Sequence, residues 1–262
     1  MTELGERADV GALLRQWRQR RRLSQLELSN EAEVSTRHLS FLETGRSRPS
    51  RQMVLHLADR LEVPLRARNE LLLAAGYAPA YGERPLQDTR MTPVRDAVQL
   101  VLDGYRPHPA LAVDRRWELV AGNAAVALLT AGAAPELLEP PVNVLRLSLH
   151  PEGVAPRIRN LAQWRGHVLH RLAREARLTA DPHLVALHAE LTALPGGVEP
   201  APPGAVAVPL KIRHGDGLLT FLSTVTVFGT AVDITAAELS IEAFLPADAA
   251  TAAAVRALDD AR

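Results

Sequence analysis

A chain of 262 residues with 47% apolar side chains, 30 basic and 30 acidic groups has material for two compact globular domains. The absence of cysteine excludes disulfides, thiolate metal sites and thiol catalysis. No run of about 18 apolar residues offers a membrane span, and charge enters "MTELGERADV" too early for a secretory signal, so the cytoplasm is the expected compartment.

Charge is spread unevenly within that neutral total. Through Arg90 there are 15 basic and 12 acidic residues, and between Arg15 and Arg51 nine arginines stand against four glutamates. Such a local excess suits an anion such as the phosphate backbone of nucleic acid.

The first elements are helical. Val10, Leu13, Leu14 and Trp17 make an i, i+3, i+4, i+7 stripe, and Arg20 to Arg22 follow at its C-terminal end, where the helix dipole favours cations. Ser24 with Glu27 is a capping box that opens a second helix. Ser35 caps a third, with Leu39 and Leu42 inward, and Gly45 stops it before "RSRP". Ser50 caps a fourth through Val54, Leu57 and Leu61. Pro64 begins a fifth through Leu65, Leu72 and Ala75, which Gly76 ends. Residues 77–92, within "YAPAYGERPLQDTRMTP", lack sustained periodicity and read as a linker between domains at 1–76 and 93–262.

Beyond the linker the pattern is mixed. "ALAVDRRWELVAGN" predicts strand, tight turn and strand, with Asn123 capping a helix through Val126 and Leu129. An amphipathic helix is expected over 156–178, with Ile158, Leu161, Val168, Leu172 and Ala176 on one face. Asp181-Pro182 starts another helix, ending near Leu194. "VAVPLKIRH", the turn "GDG", "LLTFLSTVTVF" and "ELSIEAF" are β-branched, alternating segments that predict an antiparallel set, and "ADAATAAAVRAL" closes the chain as a helix. The expected fold class is therefore an all-α five-helix domain followed by an α+β domain whose helices cover one face of an antiparallel sheet.

Two short helices joined by a turn of three or four residues form a helix-turn-helix, whose second helix enters the DNA major groove. The groove admits one helix, so the outward side of that helix must carry hydrogen-bonding groups. Here Ser35 caps the helix, and its outward side presents Thr36, Arg37 and Ser40, with His38 near the edge. Gln25, at the positive end of the second helix, suits a phosphate oxygen, as do Arg46 and Arg48 in the following loop.

"LSQLELSNEAEVSTRHLSFLETGRSRPS" resembles the Xre/Cro/phage-repressor helix-turn-helix family over about 65 residues. The resemblance implies that Gln25 contacts phosphate, that Thr36, Arg37 and Ser40 lie where bases are read, and that Arg18 and Glu43 form a structural ion pair. Phe41 departs from the pattern, standing where relatives can place a polar base-reader. "ALAVDRRWELVAGNAAVALL" with "LTFLSTVTVFGTAVDITAAELSIEAFLPAD" is similar to the PAS-like C-terminal domain of MmyB-like transcription regulators, a family associated with fatty-acid-type ligands.

A PAS-like sheet rolled against helices can leave an apolar cavity. Trp117, Trp164, Phe221, Phe228 and Phe244 are the bulky residues available to line one or to fill the core. On the strand 218–228, the face of Leu219, Phe221, Ser223, Val225 and Val227 is the expected interior. Arg213 or His214 would suit a ligand carboxylate. His167 and His170 lie three apart on a helix, but no carboxylate at ligand spacing joins them, so neither a metal nor a cofactor is expected. No phosphate loop or nucleophile elbow argues for an enzyme. The expected function is a DNA-binding transcription regulator acting as a homodimer on a double-stranded operator, controlled by a small fatty-acid-like molecule. The alternative is a regulator whose second domain is a dimerisation or protein-docking platform without ligand.

Overall fold

The computed structural model describes residues 9–200, 204 and 207–260. The chain divides into two compact units, one running to Arg84 and including the segment 231–234, the other comprising the remainder.

The first unit is built from α1 (Val10–Arg20), α2 (Gln25–Glu31), α3 (Thr36–Glu43), α4 (Arg51–Arg60) and α5 (Leu65–Ala74). Its starts are set by side chains. Ser24 and Glu27 form the reciprocal capping box, Ser35 Oγ accepts from His38 N, and Ser50 Oγ accepts from Met53 N. Gly45, at φ +72°, turns the chain out of α3. Leu14, Leu28, Leu39, Leu42, Leu57 and Leu71 are fully buried in one core, each contributing about 1.5–3 kcal/mol. Gly11 is required there: a Cβ would collide with the Leu42 carbonyl, so α1 and α3 touch backbone to backbone. The stretch expected as a linker starts as part of this unit. Asn69 Oδ1 accepts from Ala80 N and Tyr81 N, and Tyr77 Oη donates to Pro49 O.

The second unit opens with α6 (Thr92–Gly104), which periodicity reading left unassigned, then β1 (Ala110–Val113), β2 (Leu119–Gly122), α7 (Val126–Thr130) and α8 (Val144–Leu149). There follow α9 (Leu161–Thr179), α10 (Pro182–Ala193), β3 (Leu210–His214), β4 (Gly217–Val227), α11 (Ile234–Ala237), β5 (Ser240–Pro246) and α12 (Ala249–Asp260). The five strands form one antiparallel sheet in the order β2-β1-β5-β4-β3. Both faces of its β1 and β5 region are covered, rather than one. Leu111, Val113 and Phe244 face the large core with α9 and α10, while Ala110, Ala112 and Ala243 face Val98 and Leu102 of α6. The small alanines let α6 lie close, and burial on both sides erases the alternation that would mark a half-exposed strand.

Two further expectations change. Asn123 does not cap α7. It is buried, accepting from Ala110 N and donating to Leu102 O and His108 O, because three backbone groups around β1 need partners. The helix expected from 156 starts at Leu161. Ile158 bridges to Ile212, Arg159 N donates to Lys211 O, and Asn160 joins Pro209 and Lys211, so sheet pairing claims the backbone that a helix would have used.

Candidate nucleic-acid interface and apolar cavity

One carboxylate ties the first three helices together. Arg18 donates from Nε to Glu43 Oε1 at 2.6 Å and from Nη2 to Oε2 at 2.8 Å, and its third nitrogen reaches Leu23 O at 2.7 Å. Gln25 Nε2 donates to the same Oε2 at 2.8 Å. Burial opposes ionisation of Glu43, but the hydrogen bonds of Arg18 and Gln25, with the charge of Arg18, hold its carboxyl below the usual range. The same bond raises the Arg18 guanidinium above its ordinary value. One Gln25 N–H thus fixes α2 against α3 through the Glu43 carboxylate.

The α3 side chains divide by what they touch. Ser35 spends its oxygen on the cap. Thr36 Oγ1 lies 2.9 Å from Ser29 Oγ and bridges α2 to α3. Arg37 is exposed, while His38 and Ser40 are half-buried on the same outward side. The guanidinium of Arg37 lies 5.3 Å from the Phe41 ring centroid, and that of Arg46 lies 5.9 Å away. The Phe41 ring thus lies within cation–π range of two long cations beside α3. Arg48 is exposed near the end of α5, where a Cβ on Gly76 would stand 2.8 Å from its Nη2.

The second unit holds a cavity of about 80 Å³ inside its large core. Its walls are mostly apolar, among them Leu111, Leu129, Leu145 and Phe244, with Trp117 and Trp164 contributing rings. Of the residues expected to line it, Trp117, Trp164 and Phe244 do so, and Phe221, Phe228, Val225 and Arg213 do not. Phe221 is fully buried against the core, and Val225 is 46% exposed because only the first half of β4 passes under the helices. Arg213 lies exposed on β3 and donates to Pro156 O.

Trp117 is a focus of strain and contact. It stands at φ +64° in the β1–β2 turn, a region that bulky residues rarely occupy. The turn fixes it there: Asp114 Oδ1 accepts from Arg116 N and Glu118 N, Trp117 N donates to Asp114 O, and Val144 N donates to Trp117 O. Its indole Nε1 donates to Glu175 at 3.1 Å, and the Arg171 guanidinium lies 4.4 Å from its ring centroid. Trp164 Nε1 donates to Ser148 Oγ at 3.0 Å. Burial pushes Glu175 up, offset in part by that indole bond, and pushes His167 down, helped by Arg171 and His170.

Sequence reasoning missed the polar end of the cavity, formed by His167, Arg171 and Glu242. Two signals marked it. His167, Arg171 and Glu175 recur every four residues along α9, and Glu242 shares a strand face with Phe244 in "SIEAF". A charge on an otherwise apolar strand face needs a partner, and here Arg171 Nη1 donates to Glu242 Oε1 at 3.0 Å. His170, one turn from His167, is exposed, so the two histidines do not converge.

Comparison with known families places both units. The family described as MmyB-like transcription regulator ligand binding domain matches residues 94–258, and that described as helix-turn-helix domain matches residues 9–71. None of the curated proteins matches the chain. Among the described residues no helix is long and apolar enough to cross a membrane.

Proposed function

We propose, for a chain that belongs to the MmyB-like transcription regulators and joins a helix-turn-helix domain to a ligand-binding domain, that α3 reads a pseudo-palindromic operator and that a small, apolar, fatty-acid-like molecule in the second domain controls it. Arg37, His38 and Ser40 read base edges, and Gln25, Arg46 and Arg48 hold phosphates. The protein acts in the cytoplasm as a homodimer, with half-sites about 34 Å apart matching its two-fold axis.

The observation that carries the ligand half of this reading is the cavity itself, an apolar chamber with one polar end, walled by two tryptophans. Control requires only that the ligand bind the operator-competent and operator-incompetent forms with different affinity. Solvent extraction of the purified protein followed by mass spectrometry tests it: one apolar species should co-purify in near-stoichiometric amount. Genome-wide footprinting tests the other half, with two-fold symmetric protected sites expected. A clean extract from a protein whose operator affinity no apolar molecule alters would sink the ligand, and asymmetric single footprints would sink the dimer.

A further inference from the structure

We infer that the second domain dimerises by strand addition: the outer half of β4 pairs with the same segment of a second copy, antiparallel about a two-fold axis at Val225. The inference rests on the proposal that the protein acts as a homodimer, and it names the surface that joins the two copies.

A sheet edge presents unpaired backbone N–H and C=O groups, which folded proteins cover, shorten or guard with charge, proline or a bulge. The margins of this sheet are treated unequally. β2 is flanked by residues 142–143, through the Glu118–Asn143 bridge and the bond from Leu119 N to Val142 O. β3 is flanked by residues 158–160, through the Ile158–Ile212 bridge and the bond from Arg159 N to Lys211 O. The far half of β4 is left open. β3 pairs with β4 only as far as Phe221, whereas β5 follows β4 to Val227. Past Phe221, no strand lies on the side of β4 away from β5 among the described residues.

Register tells which groups stand on that side. Thr220 O accepts from Ala247 N, just past β5, so the backbone of Thr220 points towards β5 and the direction alternates along the strand. Phe244 N donates to Pro109 O on its other side, so Ser223, its partner in β4, turns away from β5 as well. Ser223, Val225 and Val227 therefore aim N–H and C=O outward, and among the described residues no group bonds to them there. Thr224, Val225, Thr226 and Val227 are exposed. None of the usual guards is present: from Gly217 to Val232 the sequence has no charge and no proline, and no bulge interrupts the pairing with β5.

The notch fits its own strand. Antiparallel self-pairing about Val225 sets Ser223 opposite Val227 of the second copy and the two Val225 residues opposite each other. Each such pair exchanges two hydrogen bonds, about six in all. Thr224 then meets Thr226 of the second copy, a favourable cross-strand pair. The incoming strand stops short of β3. It leaves the sheet after Val227, where Phe228 packs against the α6 cluster, and β3 starts only opposite Phe221. A neutral segment brings no like charges together at the axis, whereas a charged foreign strand would find no counter-charge. Specific interfaces bury about 800 Å² per partner. So short a pairing gives a dimer of about micromolar strength, completed when both helix-turn-helix domains meet one operator.

Analytical ultracentrifugation of the full-length protein from about 1 to 200 μM tests this. The unaltered chain should pass from monomer to dimer across that range. Val225→Lys and Val225→Glu should each weaken dimerisation at least about tenfold, because like charges then face each other across the axis. An equimolar mixture of the two variants should recover the dimer, which a merely structural role for Val225 would not produce. Should a variant not fold, hydrogen exchange on the unaltered protein decides: the amides of Ser223, Val225 and Val227 should gain protection as concentration rises. A dimer that survives either variant, a mixture that stays monomeric, or outward amides that exchange alike in monomer and dimer overturns the strand pairing and leaves the homodimer standing. A chain that remains a monomer throughout and binds its operator as one copy overturns both.

Discussion

Each unit contains an arginine paired with a buried glutamate, and the two pairs are built for opposite ends. Arg18 and Glu43 meet through two short bonds, with side chains 10% and 1% exposed and Gln25 and Leu23 satisfying further groups. Arg171 and Glu242 meet through one bond of 3.0 Å, and the cavity opens beside them. A fully satisfied pair fixes geometry, and fixed geometry is what a helix needs to enter a groove in one register. A pair with a spare oxygen beside empty space keeps hydrogen-bonding capacity for something that arrives later. The same two residue types make a closed pair in one place and part of a cavity wall in the other, and the difference lies in how many of their atoms are already spoken for.

Removing one partner of the closed pair is the largest break. Glu43→Ala leaves Arg18 buried without its counter-ion and strips Gln25 of its acceptor, which should cost about 3–5 kcal/mol. Hydrogen exchange at the amides of α1 and α3 should accelerate to match, and operator binding should vanish. A loss under about 1 kcal/mol would mean the pair orients nothing. Acid should act in the same direction. The folded pKa of Glu43 is depressed, so its contribution is whole above the unfolded value of about 4.3 and is lost as pH falls through the folded value. The helical unit should hold level from pH 7 to about 5 and weaken below about 4, and Glu43→Gln should lack that component of the decline.

Next come the side chains that the closed pair positions. Arg37→Ala should weaken operator binding by about 1–3 kcal/mol and relax preference at one base pair. Arg46→Ala should weaken all sequences alike and reduce the salt slope by about one unit. Equal loss on operator and random DNA for Arg37→Ala would make it a phosphate contact, and a changed base preference for Arg46→Ala would reverse the two roles.

The two units also differ in how much of them could be read in advance. Ser24, Ser35, Ser50 and Gly45 act within a few residues of their own position, so the helical unit was legible from local chemistry. The outward polar side of α3 followed from the same periodicity. In the second unit the deciding partners are distant. Asn123 answers to Leu102 and His108, Asn160 to Pro209, and Glu242 to a helix 71 residues earlier in the chain. Such partnerships leave a mark in sequence only as an anomaly, a glutamate between Ile241 and Ala243 or an asparagine ahead of an apolar run. Val225 illustrates the remaining gap: alternation assigned it correctly to the face of Phe221, but how far the helices extend over that face is set by tertiary packing.

Breaking the open pair should cost less than breaking the closed one. Arg171→Met leaves Glu242 beside a cavity large enough for water, which can take up the lost hydrogen bond. A destabilisation below about 2 kcal/mol is expected by denaturant titration, with the slope unchanged. A loss as large as that of Glu43→Ala would show that the second pair is also a closed one and that its spare oxygen has no functional meaning.

The smallest effects sharpen the contrast at the level of the backbone. Each unit places a non-glycine residue in the left-handed region beside a helix: Glu33 at φ +53° between α2 and α3, and Ala180 at φ +57° after α9. A side chain there costs about 1–2 kcal/mol, whereas glycine gives back about 0.5–1 kcal/mol through the entropy of the unfolded chain. Ala180 N still caps Ala176 O at 2.9 Å whatever the side chain, so Ala180→Gly should stabilise the second unit by up to about 1 kcal/mol. Glu33→Gly should gain a similar amount, since the backbone bond from Glu33 N to Asn30 O survives. The midpoint of urea unfolding, followed separately for each unit by hydrogen exchange, measures both. A lower midpoint for Glu33→Gly alone would mean that the turn of the DNA-reading unit relies on its side chain as well as on its backbone.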